Sequence, residues 1–267
     1  MGKNIYRPSW KNTAKYSIYI NYFWQYIRYG DFKSLWASLR YVLTHKLPTR
    51  SFFATSEMGK YHIRQNSTDF QFINHAYEKS IKDYLKNNID EFDVFIDAGA
   101  CIGEYGIWLA RMGKRTMAIE PVNFAALQQN ATLNHVEDKM KLVECGLGSK
   151  KEQVYFEKVS GVTSSSYANR KADGEPNANI ERLDDLYPEW NLKKEDRIIL
   201  KLDVEGMECE AIAGATSFFK EFPFIKVIFE HFREDEYRID KALLALAPFT
   251  FRDIDTVNRL AEKKTNI

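Results

Sequence analysis

From Phe92 onward, short apolar runs alternate with stretches of helical spacing, and this alternation is the strongest constraint on the fold. Residues 94–96, 116–119, 141–143, 154–156, 197–202, 224–229 and 249–254 read as strands, the last of them as the final strand of the chain. Between them, 103–112, 121–134, 207–220 and 234–247 read as helices, with Pro121 placed at a first helical position. Strand and helix taking turns in this way imply an α/β domain, a mostly parallel sheet with helices on both faces. Upstream, Pro48 closes a first helical region, 51–70 read as short irregular strands, and 72–88 read as a helix. Residues 160–177 form a polar loop long enough to suggest a function of its own. The domain division expected is 1–50 for a helical extension and 51–267 for the α/β domain.

Two strand ends carry chemistry. After 94–96 comes Asp97-Ala98-Gly99-Ala100-Cys101-Ile102-Gly103, where an open sheet binds ligands at the carboxyl ends of its strands. No Gly-Lys-Ser/Thr follows, so this is not a phosphate loop of nucleotide hydrolases, and it departs from the GxGxxG dinucleotide fingerprint. An acid at the strand end, Asp97, repels a pyrophosphate and suits a cation or an amine. The next strand ends in Glu120-Pro121, and an acid there can accept hydrogen bonds from both ribose hydroxyls. Together Asp97 and Glu120 suggest a positively charged nucleoside without phosphate, a description that S-adenosyl-L-methionine fits.

The second strand end is Lys201-Leu202-Asp203-Val204-Glu205-Gly206-Met207-Glu208, in which alternation puts Asp203 and Glu205 on one side. Two carboxylates at a sheet mouth are costly without partners. They could serve as a general base, as ligands for a hydroxyl or amine, or as half of a metal site; Glu205 and Glu208 could instead cap the following helix. His231, at the end of the 224–229 strand, is a further candidate base. Asp203, Glu205 and Glu230 could gather Mg²⁺, although no metal site is assigned.

Charge is uneven along the chain. Residues 1–50 hold nine Lys and Arg against the single acid Asp31, hence +8; the whole chain is +1, so the rest carries 1 − 8 = −7. The same stretch is rich in aromatics, among them Trp10, Trp24 and Trp36. It lacks the apolar core and cleavage site of a signal peptide, and Asn21, Gln25 and Arg28 interrupt it too soon for a membrane span. It could pack on the main domain or on a second subunit, or lie at a membrane surface near a lipid-linked substrate. Nucleic-acid binding is not expected from a balanced overall charge. Three scattered cysteines, Cys101, Cys145 and Cys209, point to a reducing compartment, the cytoplasm, in this reading at the inner face of the membrane.

The run from Phe95 to Gly103, then Ala118-Ile119-Glu120-Pro121, then Leu183-Asp184-Asp185-Leu186, then Leu200 to Glu208, resembles the FkbM-type methyltransferases, with Arg64 and Asp69 as an upstream feature. The family pattern is roughly DVGANIG…FEP…TLDDL…KIDVEGAE. Here Cys101 replaces its Asn, Arg182 its Thr and Met207 its Ala. The resemblance implies a Rossmann-like class I fold with a seven-stranded sheet, S-adenosyl-L-methionine as methyl donor, and methylation of a hydroxyl, commonly of a sugar or natural product. It implies that Asp97, Gly99, Cys101 and Gly103 surround the methionine part of the cofactor. Glu120 and Pro121 would hold the ribose, Gly146 and Leu147 the adenine, and Asp203 and Glu205 would face the reacting centre. The acceptor expected is a saccharide used to build surface polysaccharide, either capsule or lipopolysaccharide. A non-sugar hydroxyl or amine of a secondary metabolite, or a binding subunit without turnover, are the alternatives.

Overall fold

A computed structural model describes residues 14–158, 166–169, 174–231 and 237–264. Helices α1 (Ala14–Arg28) and α2 (Phe32–Thr44) come first, then a hairpin of β1 (Phe52–Ser56) and β2 (Gly59–Ile63), the short α3 (Asp69–Phe72), and α4 (Lys79–Asn87). The alternating region begins with β3 (Val94–Ala98), α5 (Glu104–Arg111), β4 (Arg115–Ile119), α6 (Phe124–Leu133) and β5 (Met140–Val143). Next come β6 (Gly146–Leu147), β7 (Glu152–Lys158), β8 (Ser166–Asn169), β9 (Ala178–Glu181) and α7 (Leu183–Leu186). The chain continues through β10 (Ile198–Leu202), α8 (Glu208–Ala213), α9 (Thr216–Glu221), β11 (Ile225–Glu230), α10 (Arg238–Leu246), β12 (Phe249–Asp253) and β13 (Asn258–Lys263).

The central sheet has seven strands in the order β12-β13-β11-β10-β3-β4-β5. Strands β11, β10, β3, β4 and β5 pair in parallel, and β13 runs antiparallel to both its neighbours. Both faces are covered, so the strands are apolar on both sides. Val94, Ile96, Ile198 and Leu200 pack with residues of α8, α9 and α10, whereas Phe95 and Ile199 pack with residues of α5, α6 and the N-terminal segments. Alternation then places Asp97 and Lys201, which are register partners, on the face of Phe95 and Ile199. Helices α1 and α2 join this second layer. Tyr26 Oη donates to Phe70 O at 2.7 Å, Asn74 Nδ2 donates to Tyr22 O at 3.0 Å, and Ala37 enters the core.

Several expected elements are corrected. Residues 73–78 are not helical. The buried Lys82 ammonium donates to the carbonyls of Phe72 and Asn74, each at 2.9 Å, and Asn74 Oδ1 accepts from Ala76 N, so two acceptors and one donor of a continuing helix find other partners. Helix α6 starts at Phe124, and Pro121 is not its first residue, because Glu120 Oε1 accepts from Val122 N and Asn123 N and bends 121–123 around its carboxylate. The helix expected over 207–220 is two, broken at Gly214, where a Cβ would stand 2.0 Å from Gly148 O. Asp184, in the Leu-Asp-Asp-Leu motif, caps the second by accepting from Ser217 N and Phe218 N. The run at 154–156 belongs to a separate four-stranded sheet, β6-β9-β7-β8, and the seventh central strand is β13, beyond the strand expected to be final. The polar loop over 160–177 contains β8, and most of its remainder lies outside the described residues, as does the start of the helix expected at 234.

Candidate active site

The loops at the carboxyl ends of β3, β4, β5 and β10 enclose a cleft with about 950 Å³ of open space. At Gly99 (φ +88°) a Cβ would lie 1.8 Å from Asp203 O, and Asp203 N donates to Ala98 O at 3.0 Å. Only glycine lets the loops after β3 and β10 meet at their backbones. Cys101 also has a left-handed backbone (φ +48°), and its N–H donates to Glu120 Oε2 at 2.9 Å. The first two loops are thus locked together by the carboxylate of Glu120.

Glu120 is set in turn by more distant residues. Arg64 makes a two-pronged ion pair with buried Asp69 and donates from Nη1 to Asn123 Oδ1 at 2.6 Å, while Asn123 N donates to Glu120 Oε1 at 2.7 Å. The hairpin side of the molecule thereby fixes the acid that faces the cleft.

Gly99, Cys101, Glu120, Pro121, Gly146, Leu147, Asp203 and Glu205 all line the cleft. Gly103, which precedes α5, is not in its lining. Asp97 is also behind the lining, buried at 1% exposure, and neither of its carboxylate oxygens has a hydrogen-bond partner among the described residues. Burial pushes it up to about 7, with Lys201 pulling the other way. Such an orphaned acid is stabilised by a cationic ligand at the cleft above it.

Strand order divides the cleft. Ile119, Cys145 and Leu147, near the ends of β4 and β5, join Phe156 in an apolar part, whereas Lys201, Asp203 and Glu230 come from β10 and β11. Six acids line the cleft against one lysine. An apolar half beside a strongly acidic one fits a nucleoside with a positive charge, and S-adenosyl-L-methionine meets both requirements.

Sequence reasoning assigned no role to Lys201, Glu78, Glu104, Phe72 or Tyr77, all of which line the cleft. Lys201 Nζ donates to Asp203 Oδ2 at 2.8 Å and sits over the Tyr105 ring. Burial opposes its charge, but Asp203, Glu78 and Asp97 outweigh burial and hold it well above the ordinary lysine value. A lysine inside an apolar strand run was the available signal. Glu78 and Tyr77 carry no motif and arrive through the turn that Lys82 holds. Glu230 is pushed up to about 7 by burial and then by Asp203 and Glu78.

Other expected positions fall elsewhere. His231 is not in the cleft lining; its ring stacks on Tyr237 at 4.8 Å and its backbone N–H donates to Val257 O. The strand alternation used for Asp203 and Glu205 stops at Leu202, and Glu205 enters the cleft from a turn with φ +51°. Glu208 holds that turn by accepting from Val204 N and Gly206 N. Among the described residues no three acids, histidines or cysteines are grouped to hold a metal ion, Asp203, Glu205 and Glu230 included.

Comparison with known proteins adds the chemistry. A family model described as the methyltransferase FkbM domain matches residues 97–258. No curated protein matches the chain. Among solved structures, the chain is similar to the O-methyltransferase from Bacillus cereus in complex with S-adenosylhomocysteine (16% identity, 70% of this chain and 80% of that one, TM-score 0.42). It is also similar to the S-adenosylmethionine-dependent methyltransferase from Agrobacterium tumefaciens (7% identity, 80% and 70%, TM-score 0.45). A third is the Pyrococcus abyssi tRNA (uracil-54, C5)-methyltransferase in complex with S-adenosylhomocysteine (13% identity, 80% and 44%, TM-score 0.43). The family match starts at the orphaned Asp97, spans every strand end that borders the cleft, and covers more than half of the sequence; the chain belongs to the FkbM methyltransferase family and is an S-adenosylmethionine-dependent methyltransferase.

Proposed function

We propose that the enzyme methylates a hydroxyl of a saccharide, one used as a building block of surface polysaccharide. The observation that carries this reading is the cluster of Glu78, Asp203, Glu205 and Glu230 in the acidic half of the cleft. Carboxylates accept hydrogen bonds from the several hydroxyls of a sugar, and their charge disfavours an anionic group at the same place.

When bound, S-adenosyl-L-methionine supplies a methyl group already activated on a sulfonium sulfur. What the protein adds is alignment, exclusion of water and removal of the hydroxyl proton. Asp203 was the first candidate for the base, with Glu205, but the Lys201 ammonium occupies one of its oxygens. Asp203 therefore accepts from and orients the acceptor. Glu230, raised to about 7 by burial among neighbouring acids, takes the proton. Glu205 faces the acceptor from the turn after β10, and Phe72 and Tyr77 give a sugar ring an apolar surface to lie against.

The test is methyl transfer from isotopically labelled S-adenosyl-L-methionine to a panel of free, nucleotide-linked and lipid-linked sugars, with the methylated position found by mass spectrometry and NMR. Labelled O-methyl sugar is the expected product. Transfer only to amines or non-sugar hydroxyls overturns the acceptor assignment. Tight cofactor binding without transfer to any acceptor favours a binding subunit.

A further inference from the structure

Helix α2 is oriented against its own composition. It buries Ser34, Ala37, Ser38 and Val42, while Phe32, Trp36 and Leu43 face outward, Trp36 at 71% and Leu43 at 74% exposure. Helix α1 does the same beside it: Tyr22 and Tyr26 are buried, and Ile20, Trp24 and Ile27 are exposed at helical spacing. Six of the eleven large apolar side chains left exposed among the described residues belong to these two helices. An apolar stripe of this size normally has something to cover it.

Charge indicates the occupant. Arg28, Lys33, Lys46 and Arg50, within the two helices or shortly after them, are exposed, and the only acid of the first fifty residues, Asp31, is buried and caps α2 through Ser34 N. A second copy docked by the same face would set one strongly basic surface against another. An anionic lipid surface neutralises the cations and accepts tryptophan and aliphatic side chains at the level of its headgroups. No helix among the described residues is long and apolar enough to cross a membrane, so the helices would lie on the bilayer and not span it. We infer that the outward faces of α1 and α2, centred on Trp24 and Trp36, dock the enzyme on an anionic bilayer. The inference is independent of the acceptor read for the cleft.

Flotation of the full-length chain with phosphatidylcholine vesicles, with and without phosphatidylglycerol, tests it. The protein should float with the anionic vesicles, and raised salt should release it. Lys33→Glu with Lys46→Glu should weaken binding by about fivefold or more per charge. Trp24→Ser with Trp36→Ser should abolish it while circular dichroism and S-adenosyl-L-methionine affinity stay at wild-type values. Failure to float with anionic vesicles overturns the proposal. If the chain instead self-associates with concentration, and the tryptophan variants do not, the face is a contact between copies.

Discussion

At the residue scale, the site is made by positions whose surroundings contradict their ordinary behaviour. Cys101 adopts a left-handed backbone that most residues with a Cβ resist and that asparagine, whose short polar side chain can hydrogen-bond locally, tolerates better. Cys101→Asn should therefore raise the stability measured by urea unfolding by about 1 kcal/mol, with its N–H still bonded to Glu120. An unchanged or lower midpoint would mean that the sulfur makes contacts worth as much. Glu230 yields a pH prediction. Its carboxyl is raised to about 7, so it is protonated and useless as a base below that value and competent above it. With wild-type enzyme, kcat/KM should climb as pH rises through about 7 and then level. Glu230→Gln should lose this limb and about 100- to 10,000-fold in kcat, with cofactor affinity retained. A surviving limb in that variant would move the base to Asp203 or Glu205.

At the scale of elements, strands with both faces buried were legible because their apolar runs have no competing pattern, whereas β13 was not. Its sequence Asn-Arg-Leu-Ala-Glu-Lys holds only two apolar residues, yet it lies between β11 and β12 with Leu260 and Ala261 buried. Leu260→Ala should cost about 2–5 kcal/mol in urea unfolding, the ordinary penalty for a cavity in a closed core. A loss below 1 kcal/mol would mean that this edge of the sheet is loosely packed. Helix boundaries failed for a different reason. Periodicity registers which residues are apolar but not which side chains will take backbone donors and acceptors, and Lys82, Glu120 and Asp184 each do so.

Over the whole molecule, Arg64 connects what the sequence presents as separate features. It joins the segment after the β1–β2 hairpin, buried Asp69 and the Asn123 that sets Glu120. Arg64→Ala leaves a buried, unpaired carboxylate and should destabilise the protein by about 3–5 kcal/mol, and cofactor affinity should fall with it. Adding Asp69→Asn should restore part of the stability but not the affinity, because the hydrogen bond from Arg64 to Asn123 Oδ1 is still missing. Equal recovery of both would show that Arg64 matters only to folding.

The sequence by itself determined the alternating α/β order, the placing of Gly99, Glu120 and Asp203 at strand ends, and the basic, aromatic character of the first fifty residues, because these follow from local periodicity, composition and motifs short enough to read in line. The tertiary structure alone decided that Lys201 engages Asp203, that Glu78 and Glu230 meet across the acidic half of the cleft while His231 stays out of its lining, and that α2 turns its tryptophan away from the core. Those outcomes depend on which carboxylates burial brings together and on which helix face finds a partner. Neither is fixed until residues far apart in the chain have packed.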